Sequence, residues 1–315
     1  MDISSVCIIG GTGFVGSAVA DQLAARGLRV RIVTRLSQRA APLLVLPTVE
    51  VELADPHDPA DLRRCFDNMD AVVNLVGILH ESGRQTFQAC HVELPRKVAQ
   101  ACRASGVQHL VHMSALGAAA DAPSLYQRSK AAGEEAVRAA AGDMAVTIFR
   151  PSIIFGEGDR FLNMFAAMAR LFPVIPLAGA GARFQPVWVE DVARCVAQAI
   201  GDPHCAGKTY ELCGPKAYTL EELVRLAGAT VGRKPRIVRL PGALASMQAF
   251  VLEHLPGKLM TRDNLRSMSV DNVASSPFPA IFGFAPSPLE AVVPEYLHGS
   301  AARWRYPGYR LFAGR

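Results

Sequence analysis

Gly10-Gly11-Thr12-Gly13-Phe14-Val15-Gly16 joins the apolar run 6–9 to a stretch with Val15, Val19 and Leu23 at helical spacing. A strand that turns through glycines directly into a helix constrains this chain more than any other feature. The glycines permit a tight turn and let backbone N–H groups approach a pyrophosphate. The helix N-terminus adds partial positive charge. Gly10, Thr12, Gly13, Phe14, Val15 and Gly16 are therefore candidate contacts for a dinucleotide.

The pattern that follows is repetitive. Strand-like runs are expected at 6–9, 30–33, 49–53, 71–76, 109–114 and 146–150. Helical patterns lie between them, notably at 86–105, ended by Gly106, and at 124–141. Asp58-Pro59 opens a short helix, Asp as N-cap and Pro at N1. Six strand–helix alternations predict an α/β fold, a doubly wound parallel (Rossmann) sheet with helices on both faces. Ligands bind beyond the carboxyl ends of such strands. A last sheet strand is expected at 209–213. From Pro215 prolines and glycines interrupt the pattern. The expected division is a dinucleotide-binding domain at 1–214, with 151–186 contributing to the ligand cleft, and a smaller C-terminal substrate-side lobe with a tail at 215–315.

Composition narrows the classes. Of 315 residues, 50% are hydrophobic and 19% charged, which supplies a sizeable core and excludes disorder or a small disulfide scaffold. The formal charge of +5 gives no reason to expect nucleic acid as a partner. No run approaches the ~18–20 apolar residues of a membrane span. No signal peptide is expected at the N-terminus. Seven cysteines without a CxxC pair suit free thiols in a reducing compartment, hence a cytoplasmic location. The eight histidines show no metal-ligand spacing, and no metal is expected.

The end of the second strand bears on which dinucleotide binds. An acid there would hold the ribose 2′-hydroxyl of NAD. Here the sequence reads Thr34-Arg35-Leu36-Ser37, and no acid occurs between Asp21 and Glu50. Arg35, with Arg39 nearby, could pair with a 2′-phosphate, which favours NADP(H) over NAD(H). Otherwise Arg35 is a solvated surface arginine. Asp55 could accept from the adenine amino group or simply start a loop before Pro56. Val76 and Gly77 after the fourth strand, and Pro151 and Ile154 after the sixth, are the remaining candidate cofactor contacts.

Tyr126-Gln-Arg-Ser-Lys130 sets a phenol and an amine on one helix face. A nearby ammonium is expected to lower the phenol pKa and make Tyr126 a usable acid/base for hydride chemistry. The chain here resembles the short-chain dehydrogenases/reductases of extended or atypical type, over residues 3 to about 213. The resemblance rests on Gly10 to Gly16, Ser114, and Tyr126 with Lys130. Met113-Ser-Ala-Leu-Gly117, Arg150-Pro-Ser-Ile-Ile-Phe-Gly156 and Phe184-Gln-Pro-Val-Trp-Val-Glu-Asp-Val-Ala193 make it similar to bacterial relatives of the nucleotide-binding accessory subunit of respiratory complex I.

That resemblance implies bound NADP(H), contacts of Lys130 to the nicotinamide ribose, and a complex-I-like accessory or quinone-related role. The alternative it implies is an active reductase, epimerase or dehydratase using Tyr126 and Lys130, with a small-molecule or quinone-like substrate. Family members carry a Ser or Thr just beyond the fifth strand that orients the substrate oxygen. Ser114 is the candidate, but it lies slightly early, and Ala115-Leu116 occupies the expected place.

Two further stretches carry expectations. Leu244, Met247, Phe250, Val251 and Leu255 recur at helical spacing and are expected to be core, the alternative being a quinone or lipid groove. Residues 301–315 interleave four arginines with four aromatics and contain no acid. This composition suits either packing of the terminus or contact with a membrane or membrane complex at its inner face.

Overall fold

The computed structural model describes residues 1–255 and 259–303, with side chains through Leu297. In chain order the strands are β1 (Ser5–Ile9), β2 (Arg29–Thr34), β3 (Val49–Leu53), β4 (Ala71–Asn74), β5 (His109–Met113), β6 (Ala145–Pro151), β7 (Ile154–Phe155), β8 (Val174–Leu177), β9 (Arg183–Phe184), β10 (Val187–Trp188), β11 (Thr209–Leu212), β12 (Tyr218–Thr219) and β13 (Arg236–Arg239). The α-helices are α1 (Phe14–Ala25), α2 (Pro59–Phe66), α3 (Leu94–Ala104), α4 (Leu125–Ala141), α5 (Phe161–Leu171), α6 (Val189–Ala199), α7 (Leu220–Thr230), α8 (Gly242–His254), α9 (Arg262–Ser267) and α10 (Leu289–Arg303).

The chain folds into two compact units, each built from separated segments. The first comprises Met1–Ser152, Val189–Leu212 and Ala274–Phe284. Its seven strands run in the order β11-β6-β5-β4-β1-β2-β3, all parallel. β1 and β5 are buried at every residue, which accounts for the apolar run 6–9, while the polar members Ser5, His109 and His112 are buried with hydrogen-bond partners. Cys7, Ile9, Val72, Leu110 and Ile148 face a core filled by Leu62 and Phe66 of α2, Leu94 and Val98 of α3, and Val137 of α4. α1 packs with α6, and Arg26 donates to the Ala197 carbonyl. Helices thus cover the sheet as a doubly wound fold requires.

The second unit comprises Ile153–Trp188, Cys213–Val273 and 285–315. Its core unites Leu162 and Phe165 of α5, Leu223 and Val224 of α7, and Leu289, Val293 and Leu297 of α10. Its strands form short pairs, β7–β10, β8–β13 and β9–β12. Tyr296 donates to Asp159 at 2.8 Å, and Tyr218 donates to Glu290 at 2.7 Å, so α10 is fastened at two points.

Local signals behave as their chemistry dictates. Asp58 caps α2 by accepting from Ala60 N–H at 2.8 Å, with Pro59 in the first turn. Gly27 ends α1 with φ +76° and donates to the Ala24 carbonyl. Other expectations shift. The helix expected from 86 is π-helical over Gln88–Glu93 and becomes α-helical only at Leu94, next to Pro95, which lacks an N–H donor. β4 stops at Asn74 because the Asn74 side chain accepts from Val76 N–H at 3.2 Å and turns the chain. The 244–255 face is not core: Leu244, Met247, Phe250, Val251 and Leu255 are all exposed. The inward side of α8 is satisfied instead by the small Ala245 and Ala249. The tail at 301–315 lies outside the described residues apart from the helical backbone of 301–303. Among the described residues, no helix is long and apolar enough to cross a membrane.

Candidate functional site

Between β1 and β4 the strand order reverses: β2 and β3 lie to one side, β5 and β6 to the other. The carboxyl ends of adjacent strands diverge at this switch point and leave a crevice. Gly10 lies there with φ +82°, and a Cβ on it would stand 3.3 Å from Leu75 C and Val76 N. A methyl group on Gly16 would overlap the Gly10 carbonyl oxygen, so this helix can approach its own turn only as glycine. Gly13 is the N-cap of α1 and offers no side-chain acceptor, and the first turn holds no acid. Its orphan N–H groups and dipole remain for an anion. Gly13, Thr12, Phe14 and Val15 retain solvent access, while Gly11 and Gly16 are buried. A glycine cradle with an uncapped, acid-free helix start fits a pyrophosphate.

Apart from Ile154, the other expected cofactor contacts lie in the first unit. Arg35 is exposed immediately beyond β2 and pairs with no acid among the described residues. Thr34 shapes that turn: its hydroxyl donates to the Leu36 carbonyl and accepts the Leu36 N–H. Asp55 is exposed past β3, where one carboxylate oxygen accepts from His57 N–H at 3.0 Å in a local turn. Gly77 lies close to Lys130; a Cβ there would be 3.2 Å from Nζ. Pro151 closes β6 and its carbonyl accepts from Leu116 N–H at 2.9 Å. Ile154 belongs to the second unit, on β7 paired with Val187 of β10.

Ser124 caps α4, accepting from Gln127 N–H at 3.1 Å, and places Tyr126, Lys130 and Glu134 on one face. Lys130 is buried and donates to the Met113 carbonyl at 3.1 Å. Burial pulls its ammonium down to about 8, partly opposed by Glu134 and Cys90. Tyr126 is half-buried, and loss of hydration pushes its phenol up to about 12. The expected lowering by Lys130 is therefore corrected. The ammonium is committed to the Met113 carbonyl, and desolvation dominates at the phenol. In this arrangement Tyr126 is a neutral acid at pH 7.

Ser114 is buried and donates to Glu134 Oε1 at 2.5 Å. Arg150 grips the same carboxylate with Nε and Nη2, both at 2.7 Å, and Arg138 reaches it at 3.4 Å. The buried charge of Glu134 is thereby compensated. The Ser114 hydroxyl is engaged with Glu134. Ala115 and Leu116, which follow it, are buried and carry no hydroxyl.

His91 is a neighbour of Tyr126 that the sequence patterns do not single out. Its Nε2 accepts from Ile78 N–H at 3.0 Å, and Nδ1 lies 2.8 Å from Ser129 Oγ. Ser129 in turn donates to the Tyr126 carbonyl. The ring is consequently neutral with its proton on Nδ1; burial and Lys130 hold its pKa down to about 2. It stacks on Phe87 at 5.2 Å and meets Tyr126 edge-on at 5.5 Å. The Phe87–His91 spacing of four on a helical stretch was the available signal. Asp191 lies inside the first turn of α6, which begins at Val189.

A switch-point glycine cradle with a Tyr/Lys pair on the helix after the fifth strand defines the class: a dinucleotide-binding α/β protein of the short-chain dehydrogenase type. Residues 6–213 match the NAD dependent epimerase/dehydratase family, and the chain belongs to that family. It is 32% identical, over 90% of its length and 77% of the relative's, to "NADH dehydrogenase [ubiquinone] 1 alpha subcomplex subunit 9, mitochondrial" of Mus musculus. It is also 32% identical to "Ceramide reductase" of Caulobacter vibrioides, over 75% of this chain and 73% of that one. Among solved structures, the triphenylmethane reductase of Citrobacter sp. complexed with NADP(H) shares the fold, with TM-score 0.75 at 18% identity over 93% and 99% of the two chains.

Proposed function

We propose that this protein holds NADP(H) as a complex-I-like accessory component with a structural or redox-related role. The observation that carries this reading is the commitment of Ser114 to Glu134, followed by Ala115 and Leu116. The residues that would orient a substrate oxygen beside Tyr126 lack a free hydroxyl, and orientation is a large part of such catalysis. The mouse relative's name supports the same reading. Gly10, Thr12, Gly13, Phe14, Val15 and Gly16 would cradle the pyrophosphate. Arg35 would take the 2′-phosphate and Asp55 the adenine amino group. Val76, Gly77, Lys130 and Pro151 would serve the nicotinamide half. The protein would work in the cytoplasm, against the inner face of a membrane or membrane complex.

The second reading, a reductase, epimerase or dehydratase, is favoured by the intact Tyr126 and Lys130 and by the ceramide reductase relative. When bound, the dinucleotide supplies hydride; Tyr126, as a neutral phenol, would supply the proton. Two measurements decide. Native mass spectrometry of the purified protein should find NADP(H) retained, and titration should favour NADPH over NADH. Arg35→Ala should remove that preference, a loss of about 1.5–3 kcal/mol for a charge-assisted phosphate contact. Equal affinity for the two cofactors would sink the NADP(H) assignment. Carbonyl or quinone reduction that disappears in Tyr126→Phe would replace the accessory reading with the enzymatic one.

A further inference from the structure

α8 presents apolar side chains on two opposite sides. At about 100° per residue, Ala245 and Ala249 point one way, and Leu244, Met247, Phe250, Val251 and Leu255 spread over an arc of about 140° centred on the other. The alanines are buried. The five large residues are 45%, 59%, 49%, 52% and 49% exposed. A helix apolar all round is ordinarily buried all round, and a contiguous exposed apolar surface marks an interaction site. The surface extends beyond α8. Gln248 Nε2 donates to the Pro176 carbonyl of β8 at 2.9 Å. β8 pairs with β13 so that Val174 faces Arg236 and Pro176 faces Val238. Val174 and Val238 are exposed, as are Leu171 and Phe172 before β8.

The charge around this surface is predominantly positive, with Arg239 of β13 paired to Glu221 of α7. Residues 232–270 hold seven lysines and arginines against two acids, a net of +5 and equal to the formal charge of the whole chain. Both acids are occupied: Glu253 by Arg262 at 3.1 Å and Asp263 by Arg266 at 3.9 Å. Arg233, Lys234 and Arg236 are exposed and have no acidic partner among the described residues. Arg262 also stands over the Phe250 ring at 5.3 Å.

We propose that this face of the second unit docks on an anionic lipid bilayer. The outward side chains of α8 would enter the acyl boundary, and Arg233, Lys234 and Arg236 would meet headgroup phosphates. An apolar protein partner would cover the helix and leave the cations unanswered. A polyanion such as nucleic acid would answer the cations and leave the helix bare. A bilayer surface answers both. The inference does not depend on the dinucleotide reading.

The test uses the full chain, sedimented with phosphatidylcholine vesicles or with phosphatidylcholine–phosphatidylglycerol vesicles, at low and high salt. Wild type should sediment with the anionic vesicles at low salt, at least tenfold more tightly than with the neutral ones, and should be released by high salt. Met247→Asp/Val251→Asp and Arg233→Glu/Lys234→Glu should each weaken binding at least tenfold with an unchanged melting temperature, since all four positions are exposed. Absence of wild-type binding overturns the proposal. So does equal binding to both vesicle types. Binding that survives both double variants assigns the contact to another surface and also overturns it. A wild-type dimer split by Met247→Asp/Val251→Asp, without vesicle binding, assigns the face to a second copy and overturns it too.

Discussion

His91 sits where the loop after β4 meets α4. One ring nitrogen fixes Ile78 N–H and therefore the loop that follows β4, and the other reaches Ser129 on α4. His91→Phe keeps the aromatic contacts with Phe87 and Tyr126 but deletes both hydrogen bonds. Two buried or half-buried polar groups then lose their partner, at a cost of about 2–4 kcal/mol. The denaturant midpoint should fall accordingly, and dinucleotide affinity should fall with it because Val76 and Gly77 are no longer anchored. A His91→Phe protein as stable as wild type would show the ring to be filler. The raised phenol of Tyr126 has its cause at the same scale. Spacing reveals that Tyr126 and Lys130 share a face, but not that a backbone carbonyl at the end of β5, Met113 O, claims the ammonium.

At the scale of elements, α4 and the π-helical stretch Gln88–Glu93 cross at Gly133. A Cβ there would run into the His91 carbonyl oxygen. Gly133→Ala should push the two helices apart, lower the melting temperature by several degrees and weaken dinucleotide binding through Lys130. An unchanged melting temperature would mean the helices separate freely. Much of this level was legible beforehand. The glycine turn and Asp58-Pro59 act through local chemistry, and local chemistry is written in adjacent residues. The limits of β4 were not, because the Asn74 side chain, not hydrophobicity, ends the strand. Nor was the outward face of α8. An apolar stripe reads as core whichever side it occupies, and here Ala245 and Ala249 took the inner side. The Ser114–Glu134–Arg150 network joins residues 36 positions apart and has no local signature.

At the scale of the whole molecule, three histidines among the described residues are buried in the neutral form. Burial holds His91 at about 2, His112 at about 3 and His109 at about 4, against an ordinary 6.5. Below pH 6.5 the unfolded chain binds protons that the folded one refuses, so stability is lost as pH falls from 6.5 towards these values. At pH 5 the loss is about 2 kcal/mol for each histidine. The melting temperature should be clearly lower at pH 5 than at pH 7.5, and His109→Gln should flatten the slope. A pH-independent melting temperature over that range would contradict the buried neutral rings. The discontinuity of the first unit has a different consequence, one of order in time. Gly10 and its neighbours Leu75 and Val76 lie within the first quarter of the chain, so the cradle can assemble early in synthesis. The far edge of the same sheet cannot. Phe149 and Tyr210 there are covered by Phe282, at 6.0 and 5.3 Å, and Phe282 reaches them only after most of the second unit has been made. The nascent protein thus carries a ligand-ready edge and an unsealed aromatic edge together, and a bound dinucleotide would steady the one while the ribosome is still supplying the cover for the other.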